Sequence, residues 1–224
     1  MAGTKTNEVK FEIAEMFYSL QGEGTRAGMP CVFIRLQGCN LNCEWCDTEY
    51  ARKFGEGKEI SFADIIDFAD ESRCEFIEFT GGEPLLQPNI HKAIKYFCDA
   101  GKTVAVETNG SFDISQADSR AVRIVDVKCP DSNMAGQTKP ENLEQLTTRD
   151  EVKFVLMSRK DYIYAKKIID EYDLVHRTNA VLLSAVYGSL PHSKLAEWIL
   201  HDHLQVRQQL QLHKIIFGAD KRGV

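Results

Sequence analysis

The sequence has no apolar run approaching the roughly 20 residues a bilayer-spanning helix needs, which argues against an integral membrane protein. It also lacks a basic excess: 27 Lys and Arg stand against 33 Asp and Glu, for a formal net charge of -6. That balance gives no electrostatic hold on nucleic acid or on an anionic membrane. Residues 1–10 are polar and lack the apolar stretch of a secretory signal, so they read as a flexible tail and the chain is expected in the cytoplasm. There is no internal repeat and no low-complexity tract. Nor is there a disulfide framework: the seven cysteines are an odd number, and Cys39, Cys43 and Cys46 crowd into one short stretch, a pattern of metal binding in a reducing compartment.

What is present is an alternation of short β-rich runs with helical patterns. Strands are predicted over residues 31–36, 76–80, 103–106, 122–127, 151–156, 180–183 and 210–217. Between them, Ser61 reads as the N-cap of a helix with Phe62, Ile65, Ile66 and Ala69 on one face. Ile90, Ala93, Ile94 and Phe97 form a second buried stripe, and Ser158 can cap a third helix carrying Ala165, Ile168, Ile169 and Tyr172. Leu195, Trp198 and Ile199 lie on a later one. Such alternation implies an α/β fold of about six parallel β/α units. That is fewer than the eight of a closed barrel, so residues 11–224 are expected to form a single partial or irregular (β/α) barrel, with a doubly wound open sheet as the alternative. Both architectures place ligands at the carboxyl ends of the strands.

The chemistry-bearing residues fall at those ends. Gly38-Cys39-Asn-Leu-Asn-Cys43-Glu-Trp-Cys46-Asp47-Thr48 follows the strand at 31–36. Three thiolates on one loop can hold three corners of a [4Fe–4S] cubane, which ordinarily takes four Cys, and leave one iron open. The alternative is structural zinc, which needs four ligands; no fourth Cys or His stands nearby at finger spacing. Thr80-Gly81-Gly82-Glu83-Pro84, Glu107-Thr108-Asn109-Gly110, Asp126-Val127-Lys128 and Ser184-Ala185-Val186-Tyr187 close later strands. Two adjacent glycines let a backbone approach a ligand with no Cβ in the way.

The three-cysteine loop, followed one unit later by Gly-Gly-Glu-Pro, resembles the signature of the radical S-adenosylmethionine (SAM) superfamily. Three further segments, Leu20-Gln21-Gly22-Glu23-Gly24, Cys46-Asp47-Thr48 and Leu210-Gln211-Leu212-His213-Lys214, are similar to motifs of the 7-carboxy-7-deazaguanine synthase family. The resemblance runs from about Ile13 to Lys214. It implies a radical SAM lyase that converts 6-carboxy-5,6,7,8-tetrahydropterin to 7-carboxy-7-deazaguanine with loss of ammonia, in queuosine-type 7-deazapurine biosynthesis. Its cofactors would be a [4Fe–4S] cluster, SAM and Mg²⁺.

By the same resemblance, Cys39, Cys43 and Cys46 hold the cluster. Trp45, Cys46, Asp47, Gly82, Glu83, Glu107, Asn109, Asp126, Val127, Lys128, Ser184, Ala185, Val186 and Tyr187 contact SAM. Leu20, Gln21, Gly22, Glu23, Arg35, Thr80, Gln211 and His213 take the substrate, and Thr48 supplies a hydroxyl to Mg²⁺. The substrate's amide and amino donors call for acceptors such as Gln21 and Glu23, and its carboxylate suits the planar fork of Arg35. Gln211 and His213, two apart on the predicted last strand, would share a face and leave Lys214 turned away. An electron donor such as flavodoxin or ferredoxin and a homodimer are also implied.

Several features are set aside. Cys31, Cys74 and Cys98 read as buried, reduced small hydrophobes; Cys129, after the fourth strand and so close to the expected site, reads as an inert thiol. His201-Asp202-His203 reads as a solvated helix end, and residues 56–59 as an acidic loop. Two rivals share the cysteine loop: an activating enzyme that installs a glycyl radical on a partner protein, and a non-catalytic iron–sulfur or zinc module.

Overall fold

The computed structural model describes residues 8–224. Strands β1 (Lys10–Leu20), β2 (Pro30–Leu36), β3 (Lys58–Ser61), β4 (Phe76–Gly81), β5 (Thr103–Thr108), β6 (Val122–Asp126), β7 (Glu151–Leu156), β8 (Ala180–Ala185) and β9 (Arg207–Gln209) form one sheet in the order β3-β1-β2-β4-β5-β6-β7-β8-β9. From β2 to β9 every neighbouring pair is parallel, while β1 pairs antiparallel with both β2 and β3. Helices α1 (Phe62–Glu71), α2 (Ile90–Asp99), α3 (Pro140–Glu144), α4 (Arg159–Glu171), α5 (Leu174–Arg177) and α6 (His192–His201) connect the parallel strands, and α7 (Leu212–Ile216) follows β9. Among the described residues no helix is long and apolar enough to cross a membrane.

The local logic of these elements is visible in the side chains. In β4, Phe76 to Thr80 are all buried, the mark of a parallel strand covered on both faces. Helix α1 begins where Ser61 Oγ accepts from Asp64 N–H at 3.1 Å, and buries Phe62, Ile65 and Ala69 against the sheet. Ser158 caps α4 in the same way, accepting from Lys160 N–H at 3.2 Å.

The edges β3 and β9 do not pair, so the sheet is an open, partial barrel. The loop after β1 reaches the edge strand β9, where Gly24 N–H donates to Gln209 Oε1 at 2.7 Å. The register places Arg35 beside Thr80, Glu107 beside Ile124, Asp126 beside Lys153 and Ser184 beside Gln209. The concave face is therefore unusually polar, while the apolar residues of the other face pack under the helices.

Four expectations change. Lys10, assigned to the tail, opens β1, and Val9 O accepts from Phe62 N–H at 2.8 Å; residues 1–7 of that tail lie outside the described residues. The strand β1 escapes pattern recognition because a bulge between Ile13 and Glu15 breaks its alternation. Of the acidic segment 56–59 read as loop, Lys58 and Glu59 belong to β3, which zips onto β1. The strand predicted at 210–217 ends before it begins: β9 stops at Gln209, and residues 212–216 form α7. Leu212 N–H bonds Gly22 O at 2.9 Å, which draws the chain off the sheet edge and across the barrel mouth.

Candidate active site

The cysteine loop leaves β2 at Gly38, whose φ of 95° lies in the left-handed region. Its base is fastened on both sides. Gly38 N–H and Cys39 N–H donate to Ala51 O and Arg52 O at 2.8 and 2.9 Å. Gly82 N–H and Glu83 N–H, after β4, donate to Leu36 O and Gly38 O at 3.0 and 2.8 Å. A Cβ on Gly82 would collide with Gly38 O and Ala51 O, so this glycine is required by chain-on-chain packing as well as by access to the cavity it lines.

Cys39, Cys43 and Cys46 are half-buried free thiols on the wall of a cavity of about 510 Å³, within the range of small-molecule sites. Burial raises all three thiols, and the Lys128 ammonium opposes it, most directly at Cys43. Among the described residues no three His, Cys, Asp or Glu side chains converge on a point where one ion could sit. Mononuclear zinc requires such convergence. Three thiols on one loop at a cavity wall, with the Lys128 ammonium beside them, are the donor set of a polynuclear iron–sulfur cluster with one open position.

The cavity floor is a charge network. Lys153 Nζ, on β7, lies 2.9 Å from Glu23 Oε2 and 3.7 Å from Asp126 Oδ2, and also bonds Glu107. Burial works to lower the Lys153 ammonium, but Glu107, Glu23 and Asp126 raise it well above its ordinary value. Glu23, despite a burial that favours its neutral form, is lowered by Lys153; it also accepts from Gln209 Nε2 at 2.8 Å and Gln211 Nε2 at 2.9 Å. Lys128 Nζ pairs with Asp126 Oδ2 at 2.8 Å, and Asp126 Oδ1 is buried without a partner. At the opposite end of the barrel, Glu151 accepts from Thr25 N–H at 3.1 Å, anchoring the same loop that carries Gln21 and Glu23.

Most of the residues singled out from the sequence meet in this cavity: Leu20, Gln21, Gly22, Glu23, Arg35, Trp45, Asp47, Thr48, Thr80, Gly82, Glu107, Asn109, Asp126, Lys128, Gln211 and His213 line it with the three cysteines. Cys129 also lines it, but its thiol is sealed and burial pushes it well up. Asn109 Nδ2 donates to Asn40 Oδ1 at 3.1 Å and so braces the cysteine loop. Thr48 stands at the N-cap of a short turn without capping it, its hydroxyl donating to Asp47 Oδ1 at 2.9 Å.

Others are placed differently from expectation. Glu83 is fully buried and does not line the cavity: it accepts from Thr108 Oγ1 and Asn109 N–H, both at 2.7 Å, and from Leu85 N–H at 3.0 Å. It therefore clamps the ends of β4 and β5 together. Val127 is a core residue, and Ser184, Ala185, Val186 and Tyr187 stay off the cavity lining; Tyr187 is exposed and the other three are buried. The Gln21 and Glu23 side chains, expected to be free acceptors, are engaged within the protein. Arg35 Nε donates to Glu15 Oε1 at 2.8 Å, which also receives Tyr50 OH at 2.5 Å. Lys214, expected to turn away, pairs with Asp47 Oδ2 at 3.0 Å, because α7 is a helix and not a strand. Asp202, at the helix end read as solvated, is held by Lys166 at 2.6 Å.

Sequence reasoning missed Lys153, Glu78 and Gln209. The signal was available for the first two: Glu151-Val-Lys153-Phe and Ile77-Glu78-Phe each set a charge inside an apolar strand, where an unpaired charge is costly. Gln209 carries no such mark.

Comparison with known proteins agrees with this geometry. Residues 33–128 match the model of the Radical SAM superfamily. The chain is 37% identical over 229 residues to the 7-carboxy-7-deazaguanine synthase of Koribacter versatilis, covering 95% of this chain and 100% of that one. It is 38% identical over 222 residues to that of Chlorobaculum tepidum, covering 98% and 100%. A crystal structure of QueE from Escherichia coli superposes with a TM-score of 0.73 at 21% identity, covering 93% of this chain and 98% of that one, and shares the fold.

Proposed function

The chain belongs to the 7-carboxy-7-deazaguanine synthase family, and on that premise we propose that it converts 6-carboxy-5,6,7,8-tetrahydropterin to 7-carboxy-7-deazaguanine with loss of ammonia. The observation that carries the reading is the meeting in one cavity of the cysteine loop and the Leu20–Gly24 loop, which leave opposite ends of the antiparallel β1–β2 pair. When bound, the cluster and SAM supply a hydrogen-abstracting radical, the hard chemistry that a cofactor brings.

The protein's own residues bind and orient. Cys39, Cys43 and Cys46 would hold the cluster, and Lys128 beside Cys43 offsets the charge of the thiolates. Glu107, Asn109 and Asp126, at the ends of β5 and β6 and on the same cavity wall as the cysteine loop, would contact SAM. Arg35 uses only Nε among the described residues, so its two terminal nitrogens are open to a substrate carboxylate. Thr48 and Asp47 on the same wall are hard oxygen groups suited to Mg²⁺, which keeps waters and shares a substrate anion. A flavodoxin or ferredoxin as electron donor, a homodimer and a cytoplasmic location complete the reading by family resemblance.

The test is incubation of the anaerobically reconstituted protein with SAM, reductant and the carboxytetrahydropterin, with and without Mg²⁺. Formation of 7-carboxy-7-deazaguanine is expected. Formation of 5′-deoxyadenosine without any deazaguanine would reject the substrate. Replacing Thr48 by Ala is expected to weaken Mg²⁺ dependence more than SAM binding.

A further inference from the structure

The loop that resembles a pterin reader has its side chains tied up. Gln21 donates its amide to Glu78 and accepts from Glu23 N–H at 3.1 Å. Its backbone is engaged as well, N–H to Met29 O and O from Gly28 N–H, both at 2.8 Å. Glu23 is held by Lys153, Gln209 and Gln211. Neither side chain offers the unencumbered acceptor that a pyrimidine N–H edge requires.

The partner of Gln21 does. Glu78 is only 2% exposed yet lines the cavity. One of its oxygens receives the Gln21 amide; among the described residues nothing bonds the other, which is not sealed in the core either. The register sets Glu78 beside Phe33, one inward position below the Arg35–Thr80 pair. Two strand residues rise about 6.6 Å, the scale of a fused bicyclic ring. Phe33 stacks on Phe17 with centroids 4.8 Å apart and planes 14° apart, a flat apolar wall next to the carboxyl.

From this arrangement we infer that Glu78 is a specificity-determining residue, accepting a hydrogen bond from the exocyclic 2-amino group of the pterin while Arg35, one layer above, takes the carboxylate. The inference rests on the proposed pterin substrate. Burial and the neighbouring Glu107 and Glu23 carboxylates push the empty-site Glu78 carboxyl well above its ordinary range, and a ligand N–H donor favours its ionised, accepting form. The physical basis is that a buried acceptor loses its bond to water on ligand binding and must be given a donor. A site built around such a bond rejects an analogue that lacks the donor far more strongly than an apolar pocket rejects a missing methylene. A 2-oxo analogue would set oxygen against oxygen.

Calorimetric titration of the reconstituted enzyme, with SAM present, against pterin-6-carboxylate and its 2-oxo counterpart lumazine-6-carboxylate tests this. Wild type is expected to bind the pterin at least about tenfold more tightly. Glu78→Gln keeps the bond from Gln21 on its carbonyl and turns an NH₂ toward the ligand, so the preference is expected to fall by about tenfold or invert. Equal binding of the two compounds by wild type would overturn the inference without any variant, as would an unchanged ratio in folded, cluster-loaded Glu78→Gln. If wild type binds neither compound and makes no deazaguanine from the tetrahydropterin, the substrate reading itself has failed.

Discussion

Lys214 Nζ lies 3.0 Å from Asp47 Oδ2, so the short helix after the last strand is tied to the loop that carries the three cysteines. The Lys214 side chain is largely covered and its ammonium also lies 5.6 Å from the Tyr187 ring centroid. Lys214 holds the Asp47 carboxyl well below the usual carboxylate range against its own desolvation. The two motifs, 167 residues apart in sequence, meet across the cavity mouth.

Breaking that tie is expected to loosen the mouth with little effect on the fold. In Lys214→Met, amide hydrogen exchange over residues 210–224 should rise while exchange in β4 to β7 stays unchanged. The global unfolding free energy should fall by about 1 kcal/mol or less, as for an ion pair whose carboxylate faces solvent. Unchanged protection of the C-terminal segment would show that α7 is held by its other contacts alone.

Lys153 is the sole cation bonded to Glu23 and Glu107 among the described residues. Lys153→Met leaves Glu23 and Glu107 half-buried without their cation, while Asp126 keeps Lys128. A loss of about 3–5 kcal/mol is expected in urea unfolding of the cluster-free protein. The double variant Lys153→Met/Glu23→Gln should recover part of it; a fully additive double variant would contradict direct coupling.

Glu83 gives a pH signature. Burial pushes it up to about 7 from an ordinary 4.5, against the pull of donors from Asn109, Thr108 and Leu85. A carboxyl whose folded pKa is raised binds its proton more tightly folded than unfolded. Its stabilisation is full below the unfolded pKa and is lost as pH rises through the folded value. Between those limits the loss is on the order of 3 kcal/mol. Glu83→Gln does not titrate, so its melting temperature should decline less than that of wild type between acid and neutral pH. A parallel decline in both proteins would assign the slope to other groups.

Gly22 is pressed against the His213 imidazole, and a Cβ there would overlap the ring. Gly22→Ala is expected to cost about 1–3 kcal/mol through overpacking. In a His213→Ala background the same substitution should cost clearly less, a coupling readable by a double-mutant cycle in denaturant. Equal costs in both backgrounds would place the strain elsewhere.

The parts that could be read directly from the chain share one property: they are local. The caps at Ser61 and Ser158, the buried stripe of α2 and the parallel strands from β2 to β8 rest on periodicity within a few residues. The cysteine loop rests on the spacing of Cys39, Cys43 and Cys46. Where periodicity was interrupted, as by the bulge in β1, or too short to register, as in β3 and β9, the element was missed or misassigned. The segment at 210–217 looked like a strand because apolar residues dominate it; its fate depended on a hydrogen bond to Gly22, which no local pattern contains.

By itself, then, the sequence determined the fold class, the three-cysteine loop and the family, since motifs and alternation are properties of neighbouring residues. Tertiary structure alone decided which polar groups are free. Glu23 lines the cavity, but its carboxylate is bonded to Lys153, Gln209 and Gln211. Glu83, in a motif that points to the cofactor, has a carboxyl that clamps two strand ends. Glu78 carries no motif, yet it lines the cavity and bonds Gln21 through only one oxygen. A buried polar group must find a partner wherever the fold brings one, and the identity of that partner depends on distances between strands that sequence spacing does not encode.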